Sequence, residues 1–552
     1  PKALAGDPVF EIRGGHNADG SLAAPLDEDA LSSAMAGLPE NTEGVAVVAR
    51  FSTRNPAHEL AVRDHIRAAT DLPVTCGHEL SAALGGPKRA VTAVLNARLI
   101  GLIDRLIGDV SATMDRLDIK APQMVVRGDG ALMSERLART RPIETILSGP
   151  AASLVGAATL TKLHEAVGSD SGGTTTDIAV LEDGRPRLSP SGARVGGHRT
   201  LVEAVDMDTV GLGGDSWARW RRDGTGLVLD LGPERAVPLC RAAAMFGAPI
   251  LDALKASLAA PRPTPEDGVF VMEAGETPKP FTDATGDRRS RAAVLRALVS
   301  GHMRRVAFTP TAALHVLGQH SAWHREAAML GAALLARQRD GHGQAAVSSP
   351  EALAERVRTA LVERSATTVL SAAFAADGAT EAAAALAHPD APFHATLRAA
   401  MAGQRAAGVL TAGLGYPLVG LGAAAGAVYG DVAKTLNTEP VLPLHGDVAN
   451  AIGAVAGQIR CRATVGLEEL PDGRVRMTGA GAPEMFDTLA AARAAAKATA
   501  GEKATAAAAA EGADGVELRF DIEEKVAEID GVARLIEATI IAEATGRPRF
   551  AP

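Results

Sequence analysis

The sequence predicts an α/β protein with a small α+β region at its C-terminal end. Strand-like apolar runs at 44–51 and 72–76 enclose the helical segment 58–70. A second alternation of strand, glycine turn, helix and strand follows at 409–457. Alternations of this kind are typical of sheets covered by helices. The last part, 459–552, carries two hairpin signals around an alanine-rich helical segment, which is an α+β pattern.

Glycine and proline punctuation divides the chain into four predicted parts. The first is an α/β part, and the second is a main body that opens with an amphipathic helix over 91–117. The third combines alanine-rich helix with a glycine-rich turn, and the fourth has the hairpin signals Asp472-Gly473 and Asp530-Gly531. The predicted bounds of the four parts are 1–86, 87–345, 346–458 and 459–552.

The composition is that of a cytoplasmic protein without a membrane or nucleic-acid partner. Its 552 residues are 47% hydrophobic and only 3% aromatic, so the cores depend on alanine, valine and leucine. The net charge of −9 and the lack of a basic stripe disfavour nucleic acid. Cys76, Cys240 and Cys461 lie far apart, which predicts reduced thiols. No apolar run reaches the roughly 18 residues of a membrane span, and the first residues do not resemble a signal segment.

The most informative motif runs from Asp170 to Asp177 and reads Asp-Ser-Gly-Gly-Thr-Thr-Thr-Asp. Paired glycines let a backbone approach an anion, threonine hydroxyls add donors, and acidic ends can hold a hydrated cation. The apolar run that follows predicts a buried strand. The motif therefore predicts a phosphate-binding hairpin, and the alternative is an ordinary turn before a threonine-rich strand. The predicted phosphate ligands are Gly172, Gly173, Thr174, Thr175 and Thr176.

A second glycine-rich segment runs from Gly420 to Gly426, after the short apolar strand 417–419 and at the start of a helix. This pattern suits a dinucleotide-binding turn, in which a helix N-terminus faces a pyrophosphate. Glu439 stands near the expected distance for a ribose-binding acid, but it precedes the next strand instead of ending it. Close packing of the helix on the strand is the structural alternative.

The stretch 169–216 resembles the hydantoinase A and oxoprolinase family. The family's phosphate motif, a Gly-Gly-x-Arg-Thr segment and a glycine-rich turn correspond to 170–177, 196–200 and 211–216. Further segments that resemble the family are Asn55 to Glu59, Thr92 to Ala97, Arg127 to Gly130, Ser148 to Ala151, Phe308 to Thr311 and Gly420 to Ala423. The resemblance therefore extends over nearly the whole chain.

The resemblance implies an actin-like, ribonuclease-H-like ATPase fold that binds ATP and Mg²⁺. By this resemblance, the hairpin holds phosphate, while Asp170 and Asp177 hold Mg²⁺ or its water and are the catalytic residues. The glycine-rich turn, with Gly213, Gly214 and Asp215, is expected to line the same cleft. The second glycine-rich segment is expected to border adenosine through Gly420 and Gly422.

The implied activity is the ATP-dependent activation and hydrolysis of a cyclic amide, such as a hydantoin or an oxoproline-like lactam. The family also implies a second, chemically distinct subunit, hydantoinase B-like or carboxylase-like, and hence a hetero-oligomer. A subunit of an ATP-dependent ketone carboxylase is the alternative enzyme. An actin-like assembly protein without turnover is the non-enzymatic alternative.

Three departures from the family pattern favour that last alternative. Ser171 stands where the family usually has an aliphatic residue, and Ala312 stands where an acid commonly follows Thr-Pro-Thr. A first phosphate loop, expected upstream of residues that resemble the middle of the family's first domain, is not found after Pro1. We expect that loop to lie on missing residues or on a separate chain, and ATP hydrolysis by the 552 residues alone to be slow.

Two other patterns have simpler explanations. His320 and His324 have the i, i+4 spacing of metal ligands on a predicted helix near His315, but a solvated helix face is the preferred interpretation. The residues from Ser169 to Gly173 resemble the nucleophile segment of chymotrypsin-like proteases. A helix-rich body does not fit the double β-barrel of those enzymes.

Overall fold

The computed structural model describes residues 4, 6–81, 83–388, 391, 393–401, 411–470, 472–479, 483–529 and 532–549. It divides into two compact units, each made of separate stretches of chain. Unit 1 comprises Pro1–Val155, Leu188–Val205 and Asn450–Pro552, and unit 2 comprises Gly156–Arg187 and Asp206–Ala449. The four-part division of the sequence stays a prediction about domain boundaries.

Unit 2 is built around a six-stranded mixed sheet. Five of its strands follow one another in the spatial order Met207–Val210, Thr176–Glu182, Ala166–Ser171, Leu418–Leu421 and Pro440–Val441, and Arg185–Pro186 pairs with the second of them. The first three are antiparallel, whereas the last three run parallel to one another. The carboxyl ends of the three parallel strands therefore lie side by side at one end of this sheet. Ligands of α/β proteins commonly bind at this end.

Two smaller sheets and a group of helices surround this central sheet. The longest described helix of unit 2, Pro350–Ala376, begins where the side chain of Ser349 accepts a hydrogen bond from Ala352 N–H, with proline in the first turn. The buried core contains mainly alanine, valine and leucine, as the composition predicts. The remaining strands of unit 2 are Ser216–Asp223, Gly226–Arg235, Val237–Pro238, Phe270–Glu273, Lys279–Pro280 and Met303–Ala307. Its other helices are Leu239–Phe246, Ala248–Ala259, Phe281–Ala284, Arg288–Val299, Pro310–Val316, Arg325–Ala336, Thr380–Ala387, His394–Met401, Ala425–Thr435 and the 3-10 helix Gly446–Val448.

Unit 1 contains a seven-stranded sheet against which the helix Leu489–Ala510 packs. The buried face of this helix is all small, since the alanines at 492, 496, 500, 504 and 508 recur every fourth residue. The alanine-rich helix and the hairpin at Asp472-Gly473 confirm the sequence prediction, whereas Asp530-Gly531 lies outside the described residues. The strands of this sheet are Met124–Val126, Leu132–Ser134, Ile459–Glu469, Val475–Thr478, Glu484–Phe486, Ala513–Ile529 and Val532–Pro548.

The rest of unit 1 combines a short parallel strand pair with helices. Val45–Val47 pairs with Val74–Cys76, and both strands are shorter than the predicted apolar runs. A further pair, Arg194–Val195 with His198–Arg199, carries the Gly-Gly-x-Arg-Thr segment. The helices are Glu28–Ala36, Ala57–Ala69, Gly77–Leu80, Gly86–Arg116, Glu135–Thr140 and the 3-10 helix Pro142–Thr145. The division between the units falls within two more helices, Ser148–Thr161 and Ala449–Ala456.

Two predictions about the whole chain can be compared with the structure. Cys76, Cys240 and Cys461 are free, in agreement with the prediction of reduced thiols, and burial raises the pKa of each thiol, to about 12 for Cys76 and Cys240. Among the described residues, no helix combines the length and apolarity needed to cross a bilayer.

Candidate phosphate-binding site

The motif 170–177 forms a β-hairpin between two inner strands of the central sheet of unit 2. Its turn lies at the end of the sheet where the parallel strands have their carboxyl ends. Its two strands pair so that Asp170 lies directly opposite Asp177. Residues opposite one another in an antiparallel pair have Cβ atoms about 5 Å apart, so the two carboxylates are neighbours. The turn closes with a 3.0 Å hydrogen bond from Gly172 N–H to Thr175 O. We name 170–177 the glycine hairpin.

The turn of the glycine hairpin is open to solvent and presents unused donors. Gly172, Gly173 and Thr174 are exposed. Within the described part of the chain, no hydrogen bond uses the N–H groups of Gly173, Thr174 or Thr175. Successive free N–H groups in a turn form a concavity that suits an anion. The local geometry thus has the donors that a phosphate group needs.

The glycine-rich turn 211–216 packs directly against the glycine hairpin. Gly214 N–H donates to Gly172 O at 3.2 Å, and Asp215 N–H donates to Gly173 O at 2.7 Å. A Cβ atom on Gly213 would lie only 2.6 Å from Gly172 O, so any larger residue there would displace the hairpin. The structure therefore brings Gly213, Gly214 and Asp215 to the hairpin. Since Gly213 N–H also donates, to Ser216 Oγ at 3.0 Å, all three N–H groups are already used, and these residues position the hairpin rather than donate to a phosphate.

Buried hydroxyls fix the base of the hairpin. Thr176 Oγ1 donates to Leu212 O at 2.8 Å and lies 3.1 Å from Ser171 Oγ. The hydroxyl of Ser171, an unusual residue for the family, is therefore paired and not an unsatisfied polar group. The Thr-Pro-Thr segment adds a further link, because Thr311 Oγ1 donates to Gly214 O at 2.8 Å. Ala312, at the position where the family commonly has an acid, is buried in the core.

Replacing Thr176 by valine tests whether these buried hydrogen bonds stabilise the hairpin. The variant keeps the shape of the side chain but leaves Leu212 O and Ser171 Oγ without their partner. Because an unsatisfied buried polar group costs about 1–3 kcal/mol, we expect a clear fall in the thermal unfolding midpoint. Thr367→Val is the matched control, since Thr367 is only partly buried and its hydroxyl donates to Glu363 O within its own helix. Equal midpoints for the two variants would contradict the role of Thr176.

The second glycine-rich segment adjoins the hairpin through the strand Leu418–Leu421. Its Leu421 lies opposite Asp170 in the parallel pair, and the following helix is Ala425–Thr435. Gly420 was predicted to follow the strand, but it lies inside it and is buried. A Cβ atom there would come within 2.9 Å of Tyr429, which supports close helix packing for this position. The turn itself begins at Gly422, whose φ of +89° favours glycine.

In the described part of the chain, the carboxylates of the glycine hairpin, Asp170 and Asp177, differ from Asp215 in having no arginine that pairs with them, and none among the charges that shift the pKa of Asp177. Burial raises the pKa of Asp177, and the neighbouring charge of Asp170 adds to this rise, against a 2.7 Å hydrogen bond from Thr209 Oγ1. Burial also raises the pKa of Asp215, while Arg241 and Arg235 oppose the shift. Among the described residues, neither Asp170 nor Asp177 forms an ion pair with lysine or arginine. Paired carboxylates without a cation are the hard oxygen donors that Mg²⁺ prefers, so the site fits this ion.

One cationic side chain at the turn was missed by sequence reasoning. Arg235 donates from Nη1 to Thr174 Oγ1 at 2.8 Å. It ends the strand Gly226–Arg235, which pairs with Ser216–Asp223. No local pattern in the sequence signals this contact, because it depends on how a distant strand pair folds back. The arginine places a positive charge beside the free N–H groups of the turn.

The prediction that His320 and His324 share a helix is wrong. The helix Pro310–Val316 ends before them, where Gly318 adopts a φ of +71°, and the next helix begins at Arg325. His324 instead caps that next helix by accepting a hydrogen bond from Ala327 N–H. His315 is buried, with Nδ1 2.8 Å from Thr311 O and Nε2 accepting from Trp323 N–H. These contacts give His315 a structural role and leave no i, i+4 metal site.

Comparisons with known proteins agree with this architecture. The chain matches the hydantoinase/oxoprolinase family over residues 89–284 and the hydantoinase/oxoprolinase N-terminal region over residues 2–70. It is 31% identical over 223 residues to the caprolactamase subunit alpha of Pseudomonas jessenii, a match that covers 40% of this chain and 32% of the relative. It is 28% identical over 243 residues to the acetophenone carboxylase gamma subunit of Aromatoleum aromaticum, covering 42% and 32%. The matched segment therefore spans about a third of each relative's length.

A solved structure extends the similarity over the whole chain. The crystal structure of ATP-dependent caprolactamase from Pseudomonas jessenii superimposes with a TM-score of 0.61 at 19% identity, and covers 100% of this chain and 71% of that one. At this identity the likeness shows a shared fold. The sequence matches confirm the resemblance inferred from the glycine hairpin and its neighbouring motifs: residues 2–70 and 89–284 match the hydantoinase/oxoprolinase family.

Proposed function

We propose that the chain is the ATP-using part of an enzyme that activates and hydrolyses a cyclic amide. The observation that carries the proposal is the glycine hairpin, in which free N–H groups lie next to the opposed carboxylates of Asp170 and Asp177. An actin-like ATPase fold is part of the proposal. The name of the similar caprolactamase supports a lactam-like substrate. The word subunit in both relatives' names supports a second, distinct partner chain.

Each part of the site has a separate task in this reaction. The N–H groups of Gly173, Thr174 and Thr175 bind phosphate oxygens, and Arg235 adds positive charge beside them. Asp170 and Asp177 would hold Mg²⁺, which neutralises charge on the transferred phosphoryl group. Gly422 and the start of the following helix border the nucleoside.

Phosphoryl transfer explains why such an enzyme uses ATP. An unstrained amide resists attack by water because its carbonyl carbon is a weak electrophile. Transfer of the γ-phosphoryl group to the amide oxygen releases ADP and creates a leaving group. Water can then attack the carbon, and the ring C–N bond breaks to give an acyl phosphate with a free amine. A second water hydrolyses the acyl phosphate to phosphate and the carboxylate of the amino acid. Glycine hairpin residues position the phosphoryl group for the first of these steps.

A subunit of a ketone carboxylase is the second candidate, favoured by the similarity to the acetophenone carboxylase gamma subunit. In that case the same hairpin activates a ketone or its enol in place of an amide. The two candidates share nucleotide binding and differ only in the acceptor of the phosphoryl group.

Phosphate release from Mg²⁺-ATP distinguishes the candidates. We expect release to rise with a lactam such as 2-piperidone or with hydantoin, and not with acetophenone and bicarbonate. The reverse pattern would favour the carboxylase. Asp170→Asn should abolish the stimulated release, whereas Asp377→Asn, a change at a 69% exposed side chain of the same unit, should not. Failure of the protein to bind Mg²⁺-ATP would overturn both candidates.

A further inference from the structure

The seven-stranded sheet of unit 1 has a long strand, Ala513–Ile529, at one edge. This strand pairs with Val532–Pro548 on one side, and within the described residues no strand pairs with its other side. Every residue from 517 to 525 is exposed, and successive side chains point to opposite faces of the strand. An edge of this kind presents a row of backbone donors and acceptors to which another strand can be added. We call 517–525 the open edge.

The open edge is the regular part of its strand. Its pairing with the neighbouring strand runs without interruption from Glu517 to Lys525, and the register shifts immediately before and after this stretch. Ile522 N–H donates to the Asp521 carboxylate at 2.9 Å, as expected for a group that points away from the neighbouring strand. Because backbone groups alternate along a strand, every second residue presents its N–H and C=O on this side. The open edge can therefore continue a regular ladder with a further strand.

One face of the open edge carries apolar side chains next to the helix Leu489–Ala510. Leu518 and Phe520 are each 43% exposed, and Ile522 is 36% exposed. A Cβ atom on Gly501 of that helix would lie 3.2 Å from the Phe520 ring, so this glycine lets the ring lie against the helix. The rest of each side chain remains in solvent. A strand added at the edge would cover these apolar groups, and their burial would favour its addition.

The charges of the open edge match those of a second copy that runs antiparallel to it. We consider the register in which the two Asp521 residues lie opposite one another. Glu517 of each copy then faces Lys525 of the other, and Arg519 faces Glu523. Opposite charges at such positions stabilise a strand pair, whereas like charges destabilise it. The pairing thus gains four pairs of opposite charge against one pair of like charge, because each match occurs twice across a twofold axis.

On the other face, apolar side chains meet at the centre of the same register. Phe520 of each copy faces Ile522 of the other, and pairs of aromatic and β-branched residues stabilise neighbouring strands. Leu518 faces Glu524, whose carboxylate is held by Arg493 of its own chain. The register therefore covers the central apolar side chains and leaves charged groups around them.

Neighbouring registers lack this match. A centre one residue earlier places Glu517 opposite Glu523, and a centre one residue later places Arg519 opposite Lys525. Both are pairs of like charge. Charged residues on edge strands commonly serve to prevent pairing, but that role needs no match of sign between particular positions. The charge complementarity in one register therefore favours a second copy of this chain as the occupant of the edge.

We propose that the protein forms a twofold dimer through its open edge, with Asp521 opposite Asp521, so that two seven-stranded sheets join into one. The twofold axis is perpendicular to the sheet, so the helices Leu489–Ala510 of both copies lie on the same face. The second copy is separate from the distinct partner chain of the proposed function. The dimer also does not depend on nucleotide binding, because the glycine hairpin belongs to unit 2.

Sedimentation equilibrium over a concentration series measures the dimer, and a charge swap tests its register. Arg519→Glu creates two pairs of like charge, and we expect it to weaken the dimer by about 10-fold or more. Adding Glu523→Arg restores opposite signs and should return the dissociation constant to within about 3-fold of the parent value. Within the described residues, neither Arg519 nor Glu523 forms an ion pair, so the swap leaves the ion pairs of the single copy unchanged.

Two further variants complete the test. Asp521→Asn removes the like charges at the centre and should strengthen the dimer by about 2- to 5-fold. Arg105→Glu makes the same change as Arg519→Glu at another exposed arginine of unit 1, on the helix Gly86–Arg116. It is the matched control and should leave the dissociation constant unchanged.

The outcomes decide between a second copy and other occupants of the edge. A protein that stays monomeric at every concentration would overturn the proposal and leave the edge to a strand of a different chain. A dimer that Arg519→Glu does not weaken, or that the double variant does not recover, would also overturn it, because the two copies would then meet in another way. Thermal unfolding of each variant checks that it is folded, as we expect for changes at exposed side chains.

Discussion

Replacing Gly422 by alanine should weaken Mg²⁺-nucleotide binding by about 100-fold. A Cβ atom at this position would clash with Ser171 O and would lie 2.9 Å from Asp170 Oδ1. The φ of +89° adds a strain of about 1–2 kcal/mol for any residue with a side chain. The strand end that carries Asp170 must therefore shift. Because altering the groups around a metal site typically costs about 10- to 100-fold in affinity, and the clash moves both Asp170 and the hairpin, we expect a loss at the upper end of that range.

Titration with a fluorescent ATP analogue and thermal unfolding measure this effect. Gly430→Ala is the matched control, since Gly430 lies in the middle of the helix Ala425–Thr435, is exposed, and has no other atom within 4 Å of an added Cβ. It should bind nucleotide normally, and its stability should be equal or raised by about 0.4–1 kcal/mol. A Gly422→Ala protein with normal affinity would show that the hairpin and this turn do not form one site.

Replacing Asp177 by asparagine should change binding and stability in opposite directions. Asparagine keeps the oxygen that accepts from Thr209 but removes the charge that would hold Mg²⁺. We therefore expect Mg²⁺-dependent nucleotide affinity to fall by about 10- to 100-fold, the usual effect of altering groups around a metal site. The free protein should become more stable at neutral pH, because burial and Asp170 disfavour the charged form of Asp177.

The pH dependence follows from the direction of this pKa shift. The folded protein binds the Asp177 proton more tightly than the unfolded chain does, since the folded pKa is raised. The parent protein therefore loses stability as pH rises from the ordinary aspartate pKa of about 4 through the raised value. The variant lacks this loss, so its advantage in unfolding midpoint should be largest at neutral pH and vanish at low pH.

Thermal unfolding over a pH series, combined with nucleotide titration with and without Mg²⁺, measures both effects. Asp377→Asn, a change on the exposed surface of the same unit, is the control and should alter neither. Unchanged Mg²⁺-dependent affinity in Asp177→Asn would contradict a metal role for this residue. A fall in stability at neutral pH would contradict the electrostatic description of the site.

The sequence predicts best those features that depend on neighbouring residues. The glycine hairpin is contiguous, so the pairing of Asp170 with Asp177 follows once the turn is recognised. The alanine-rich helix was predicted and forms over Leu489–Ala510, because alanine has a strong helix propensity and Thr488 caps the start of the helix. Local propensity and tertiary packing agree in both segments.

Features that depend on distant contacts were not predictable in this way. The Arg235 contact with Thr174 joins two strand systems, and nothing near either residue indicates it. The sequence around Gly420 fits a turn as well as a strand. Only the close packing of Tyr429 against Gly420 distinguishes the two, and it places this glycine inside the strand. The spacing of His320 and His324 suggested one helix, but the left-handed Gly318 ends the preceding helix first.

A crystal structure of the protein with Mg²⁺ and a non-hydrolysable ATP analogue tests the central claim most directly. We predict phosphate oxygens within hydrogen-bond distance, about 2.7–3.2 Å, of the N–H groups of Gly173 to Thr175. We also predict Mg²⁺ on the side of Asp170 and Asp177, bound directly or through water, with the nucleoside next to Gly422. Nucleotide bound elsewhere on the chain, with the hairpin donors facing only solvent, would contradict the claim.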